Sequence, residues 1–111
     1  MQINEDKISP VIIDLSTAKT KQLNESFLRV FGWAVSKVLD RMFGGAAIPV
    51  EIKGSPQEIE SFANTLAKEK RYLQSWQDYG LDDPRTYRDK GQLQQSINKF
   101  ERVTDLKWPF Q

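Results

Sequence analysis

Residues 23–45 read LNESFLRVFGWAVSKVLDRMFGG, and this stretch sorts almost completely on a helical wheel. Val30, Leu23, Ala34, Phe27, Val38, Phe31, Met42, Val35, Leu28 and Leu39 occupy one half. Gly32, Glu25, Ser36, Arg29, Asp40, Ser26 and Lys37 occupy the other. The period predicts a helix from Leu23 to the Gly44-Gly45 stop, with an apolar face that needs a substantial partner surface. Trp33 breaks the pattern. It lies in the polar arc, with Arg29 and Lys37 one turn away on either side, which points to a second contact.

Outward from this helix, the chain alternates short apolar runs with capped helices. Val11-Ile12-Ile13 is a β-like run ended by Asp14. Asp14 or Ser16 is a candidate cap for a lead-in through residues 17–22. Ile48 to Lys53 alternates apolar and polar residues, a strand pattern that Pro49 confines to an edge or a first position. Ser55-Pro56-Gln57-Glu58 combines an N-cap serine, a first-turn proline and a glutamate that closes a capping box. The helix it opens is expected to run to Tyr79, stop at Gly80, and turn Ile59, Phe62, Ala63, Leu66, Ala67, Leu73 and Trp76 inward. Asp83-Pro84 predicts a turn or a single helical turn. Asp89-Lys90-Gly91-Gln92 resembles a second capping box opening a last helix with Leu93, Ile97 and Phe100 on one face. The expectation is one domain, residues 1–111, of the α+β class: mostly helical, with three helices and a small sheet of two short strands.

Composition bounds the function. The 16 basic and 15 acidic residues give a net charge of +1, against the basic excess of a dedicated nucleic-acid binder. Cys and His are absent, which removes thiol chemistry, disulfides and the commonest general base and metal ligand. No apolar run is long enough for a membrane span. The opening MQINEDK is acidic and polar, unlike a secretory leader. The expectation is a non-enzymatic protein without cofactor, metal or small-molecule substrate.

Each chemical candidate has a plainer reading. Lys53-Gly54-Ser55 before a helix could hold an anion, but its spacing matches no phosphate loop, and a capped strand-to-helix turn explains it. Asp82-Asp83 could bind a cation, yet Pro84 marks Asp83 as an N-cap. Glu69 and Lys70 fall near the apolar face of their helix, where a pKa-shifted catalytic group would sit. A snorkelling side chain, or a helix leaving the core after Ala67, would look the same, and is the favoured reading. Lys68, Lys70, Arg71, Tyr72 and Trp76 interleave basic and aromatic residues as single-strand binders do, but Glu69 interrupts them and a solvated face is favoured. Asn24-Glu25-Ser26 fits a glycosylation sequon that nothing else supports.

The aromatics carry more. There are 6 Phe, 3 Tyr and 3 Trp, and Phe27, Phe31, Phe62 and Phe100 explain themselves as core. Trp33, Tyr79, Tyr87, Trp108 and Phe110 do not. Trp33, Arg29 and Lys37 with Trp108 and Phe110 are therefore expected to form one partner-binding region. The competing expectation is that Trp108-Pro109-Phe110 folds back to cover Trp33 or Trp76.

FGWAVSKVLDRMFGG (31–45), IPVEIKGSPQEIESFANTLAKEKRYL (48–73), YGLDDPRTY (79–87) and KFERVTDLKWPF (99–110) resemble small proteins of tailed bacteriophages. The resemblance implies a virion component (cement, neck, tail or baseplate) that contacts other phage structural proteins or copies of itself. Its place would be the virion, or the host cytoplasm before assembly. The alternative is a small phage-encoded inhibitor of a host protein. No site residue follows from the resemblance.

Overall fold

The computed structural model describes residues 11–15, 25–44 and 50–110, with side chains from Leu28 onward in the first helix. Five elements follow in order: β1 (Val11–Asp14), α1 (Glu25–Gly44), β2 (Val50–Lys53), α2 (Pro56–Tyr79) and α3 (Pro84–Thr104). The chain is α+β and mostly helical, with three helices and one two-stranded sheet among the described residues. The expected strand residues Ile48 and Pro49, the helix-start residues Leu23 and Asn24, and the lead-in lie outside the described residues.

β1 and β2 pair in parallel, Val11 opposite Val50 and Ile13 opposite Ile52. Parallel strands cannot be joined by a hairpin, so the connection passes through α1. Alternation buries Val11 and Ile13 and leaves Ile12 exposed. β2 is less covered, with only Ile52 half-buried. α1 buries Phe31, Ala34, Val35, Val38 and Leu39, as its period predicts. Val30, at the margin of the apolar arc, is instead 61% exposed.

α2 and α3 form an antiparallel hairpin closed by Gly80 and Asp83. The capping box is present in full: Ser55 Oγ accepts from the Glu58 amide at 3.1 Å, and Glu58 Oε1 accepts from the Ser55 amide at 2.8 Å. α3 starts earlier than expected. Asp83 is its N-cap and Pro84 its first residue, and the helix runs unbroken through Asp89. Asp89 is thus a buried mid-helix residue that accepts a hydrogen bond from Ser75 Oγ, and not a cap.

The buried face of α2 is also more polar than its apolar period suggests. Ser61, Thr65, Glu69 and Ser75 are buried, whereas Ala63, Ala67 and Trp76 are exposed. Small hydroxyl residues satisfy themselves against nearby carbonyls and let the helices pack. Thr65 Oγ1 bonds the Ser61 carbonyl at 2.8 Å and the Ser96 carbonyl of α3 at 3.1 Å. Thr86 Oγ1 bonds the Gly80 carbonyl at 2.7 Å and ties the loop to α3.

After α3 the chain reverses. Asp105 takes the left-handed conformation at φ 59°, a conformation aspartate tolerates. Thr104 Oγ1 accepts from the Leu106 amide, and Glu101 accepts from the Trp108 amide at 3.0 Å. Leu106 and Trp108 are thereby buried. Trp108 meets Phe100 edge-on at 5.3 Å and Phe62 at 5.9 Å, and Phe31 joins the same aromatic cluster. No helix among the described residues is long and apolar enough to cross a membrane.

Candidate functional site

The inward stripe of α2 outruns the core. Phe62, Leu66, Glu69, Leu73 and Trp76 follow a four-three spacing, so they share one face. Phe62, Leu66 and Glu69 are buried, but Leu73 is half-buried and Trp76 is 47% exposed. The last turns of α2 therefore present a core-type face that no described residue closes over. The result is an open cleft of about 690 Å³ between α1, α2 and the C-terminal segment. Phe43, Tyr72, Leu73, Trp76 and Phe110 give it apolar and aromatic walls, and Asp40, Glu69 and Lys90 are its ionisable groups.

Glu69 joins this cleft to the core. Its Oε1 accepts a 2.8 Å hydrogen bond from Trp108 Nε1. The residue is 3% exposed, and burial pushes its carboxyl above the ordinary range, partly offset by the Trp108 bond. The side chain neither snorkels nor marks a departure from the core; it is the buried acceptor that lets an indole enter an aromatic cluster. The signal for it lies in the sequence only as an acidic residue on an otherwise inward stripe.

The expected contact residues divide. Trp108 is 2% exposed and is consumed by the core, so it is removed from the partner-binding set. Its indole is larger than any other ring at the C-terminus and finds both ring neighbours and an acceptor there. Phe110 packs edge-on against Trp108 at 6.2 Å and lines the cleft. Trp33 is 57% exposed, with Lys37 Nζ 5.8 Å from its ring centroid, and Arg29 is exposed one turn before it. The C-terminal segment does fold back, but it covers neither Trp33 nor Trp76. It approaches α1 at Gly32, where an added Cβ would sit 3.6 Å from Pro109. Gly32 and Ser36 border Trp33 on α1, and Ser36 lines the cleft. Trp33, Arg29 and Lys37 therefore flank the cleft, and Phe110 belongs to its wall.

The basic-aromatic cluster also divides. Tyr72 and Trp76 line this cleft, whereas Lys70 and Arg71 line a second one of about 810 Å³ with Arg85, Arg88 and Asp89. Rings and cations facing different clefts cannot grip one strand together. Arg85 is already engaged. Its guanidinium lies 3.4 Å from the Tyr79 ring centroid and forks onto Asp83, whose carboxyl it lowers to about 2. Among the described residues no group of three or more His, Cys, Asp or Glu could hold a metal ion.

No protein-family model, no curated protein and no solved structure matches the chain.

Proposed function

We propose that this chain is a non-catalytic assembly protein acting through protein–protein contacts, and that the aromatic cleft with its Trp33 flank is the contact surface. The observation that carries this reading is the uncovered core stripe at the end of α2. Leu73 and Trp76 stand where a folded domain normally buries such residues. Trp and Tyr are the residue types that anchor protein interfaces. The ionisable groups buried among the described residues, Glu69 and Asp89, are each hydrogen-bonded inside the fold, which suits a structural role for both.

The setting we propose is a tailed-phage particle, with other virion proteins or further copies of this chain as partners. Its support is the sequence resemblance. Mass spectrometry of purified particles tests it. A virion part appears at stoichiometric copy number. Absence from particles, with stoichiometric capture on a host enzyme, would establish the inhibitor reading instead.

A further inference from the structure

The aromatic cleft carries more chemistry than an apolar socket. One Glu69 oxygen, Oε1, accepts the Trp108 indole N–H. Its Oε2 makes no hydrogen bond to another described residue, yet no buried side-chain oxygen among the described residues goes unsatisfied. Glu69 is a lining residue of the cleft, which leaves Oε2 as its oxygen available to a ligand there. The carboxylate is otherwise sunk in the fold at 3% exposure. It thus presents a single acceptor at the base of a wall formed by Phe43, Tyr72, Trp76 and Phe110. Aromatic faces attract cations, the more so where water is excluded.

The charges lining the cleft itself lean the same way, while Arg29 and Lys37 are cations on its Trp33 flank. Asp40 from α1 adds a second carboxylate, and Lys90 from α3 is the one cation among the lining residues. Lys90 makes no ion pair with either carboxylate within 4.0 Å. The acceptor is therefore not already neutralised by a cation among the described residues.

We propose that this cleft receives an alkylammonium group, the lysine side chain of the docking partner. The available acceptor selects among cations. A guanidinium is best satisfied by both oxygens of a carboxylate, and Trp108 holds one of them. A quaternary ammonium has no N–H to donate. A primary ammonium has three N–H donors: Oε2 can take one, solvent in the open cleft can take the others, and the aromatic walls can surround its stem. A lysine side chain fills only part of about 690 Å³, leaving room for its neighbours in a partner segment. The lysine assignment rests on the contact-surface reading above; the ammonium site does not.

The test is a titration of the intact protein with n-butylammonium, n-butylguanidinium, n-butyltrimethylammonium and 1-pentanol, read at the indole N–H signals of Trp76 and Trp108. Butylammonium is expected to bind saturably and about tenfold more tightly than pentanol. Glu69→Gln keeps an acceptor for Trp108 and should abolish that preference. Lys90→Ala should leave it intact or strengthen it. Equal binding of pentanol, or an unchanged preference in Glu69→Gln, overturns the site. Equal binding of the guanidinium or quaternary ion overturns the lysine assignment. Should Glu69→Gln not fold, Trp76→Leu replaces it, and undiminished ammonium binding there overturns the proposal. Ammonium binding with assembly untouched by Trp76→Leu rejects the contact surface alone. Assembly lost with no ammonium binding rejects the ammonium site alone.

Discussion

Glu69 and Trp108 each satisfy a need of the other. The indole N–H requires an acceptor inside the core, and the carboxylate requires a donor once it is buried. Two substitutions separate these needs. Glu69→Gln keeps a carbonyl oxygen and removes the charge, so the fold should survive. Glu69→Leu leaves the Trp108 N–H unpaired and should cost about 1–3 kcal/mol. Urea unfolding of both variants checks the contrast. The same carboxyl makes stability pH-dependent. Burial raises its pKa above the ordinary 4.5 in the folded state. Its contribution is then complete below the unfolded value and is lost as pH rises through the folded value. Asp83 works in the opposite sense. Arg85 lowers it to about 2, so its contribution holds above the ordinary aspartate value and fades as pH falls toward 2. Glu69→Gln should therefore remove the decline on the neutral side of pH 4.5 and leave the acid limb, a difference visible in unfolding curves from pH 3 to 7 (roughly the carboxylate range).

The caps were legible because their chemistry is local. Ser55 and Glu58 are three residues apart, and the box they predict is the box that forms. Ser55→Ala should cost about 1 kcal/mol in the same unfolding assay. Asp89 shows the limit of local reading. Its spacing to Gln92 imitates a cap, but a helix already initiated by Asp83 and Pro84 passes through it, and Ser75 on the facing helix claims its carboxylate. The inward face of α2 departs from its apolar period for a related reason. Ser61, Thr65 and Ser75 look polar until the neighbouring helix supplies partners, and no count of apolar residues contains that information. Gly32 offers a test of how the C-terminal segment lies on α1. An alanine Cβ there would meet Pro109 at 3.6 Å, an ordinary contact. Gly32→Ala should then stabilise the protein by about 0.5–1 kcal/mol through helix propensity, seen as a raised Tm.

The parallel pairing of β1 and β2 and the reversal after α3 depend on contacts far apart in the chain, so periodicity could supply the elements and not their arrangement. The same holds for the cleft. α1 brings Phe43, α2 brings Trp76, and the C-terminal segment brings Phe110, and none of the three predicts the others. What sequence could supply was the exception on α1: a tryptophan on the polar arc is exposed in the fold as the wheel implies. Trp33 and Trp108 consequently have separable roles. Trp108 is part of the core, and Trp108→Ala should cost about 3–5 kcal/mol by emptying the space between Phe62 and Phe100. Trp33 is 57% exposed, so Trp33→Ala should change stability by no more than about 0.5 kcal/mol. If Trp33 flanks the contact surface, the same change should weaken assembly by about 2 kcal/mol. Measuring melting temperature and assembly affinity on one preparation separates these effects. A lowered Tm with affinity per folded molecule unchanged would place Trp33 in the fold and remove it from the interface. Unchanged Tm with weakened assembly would assign it to the partner.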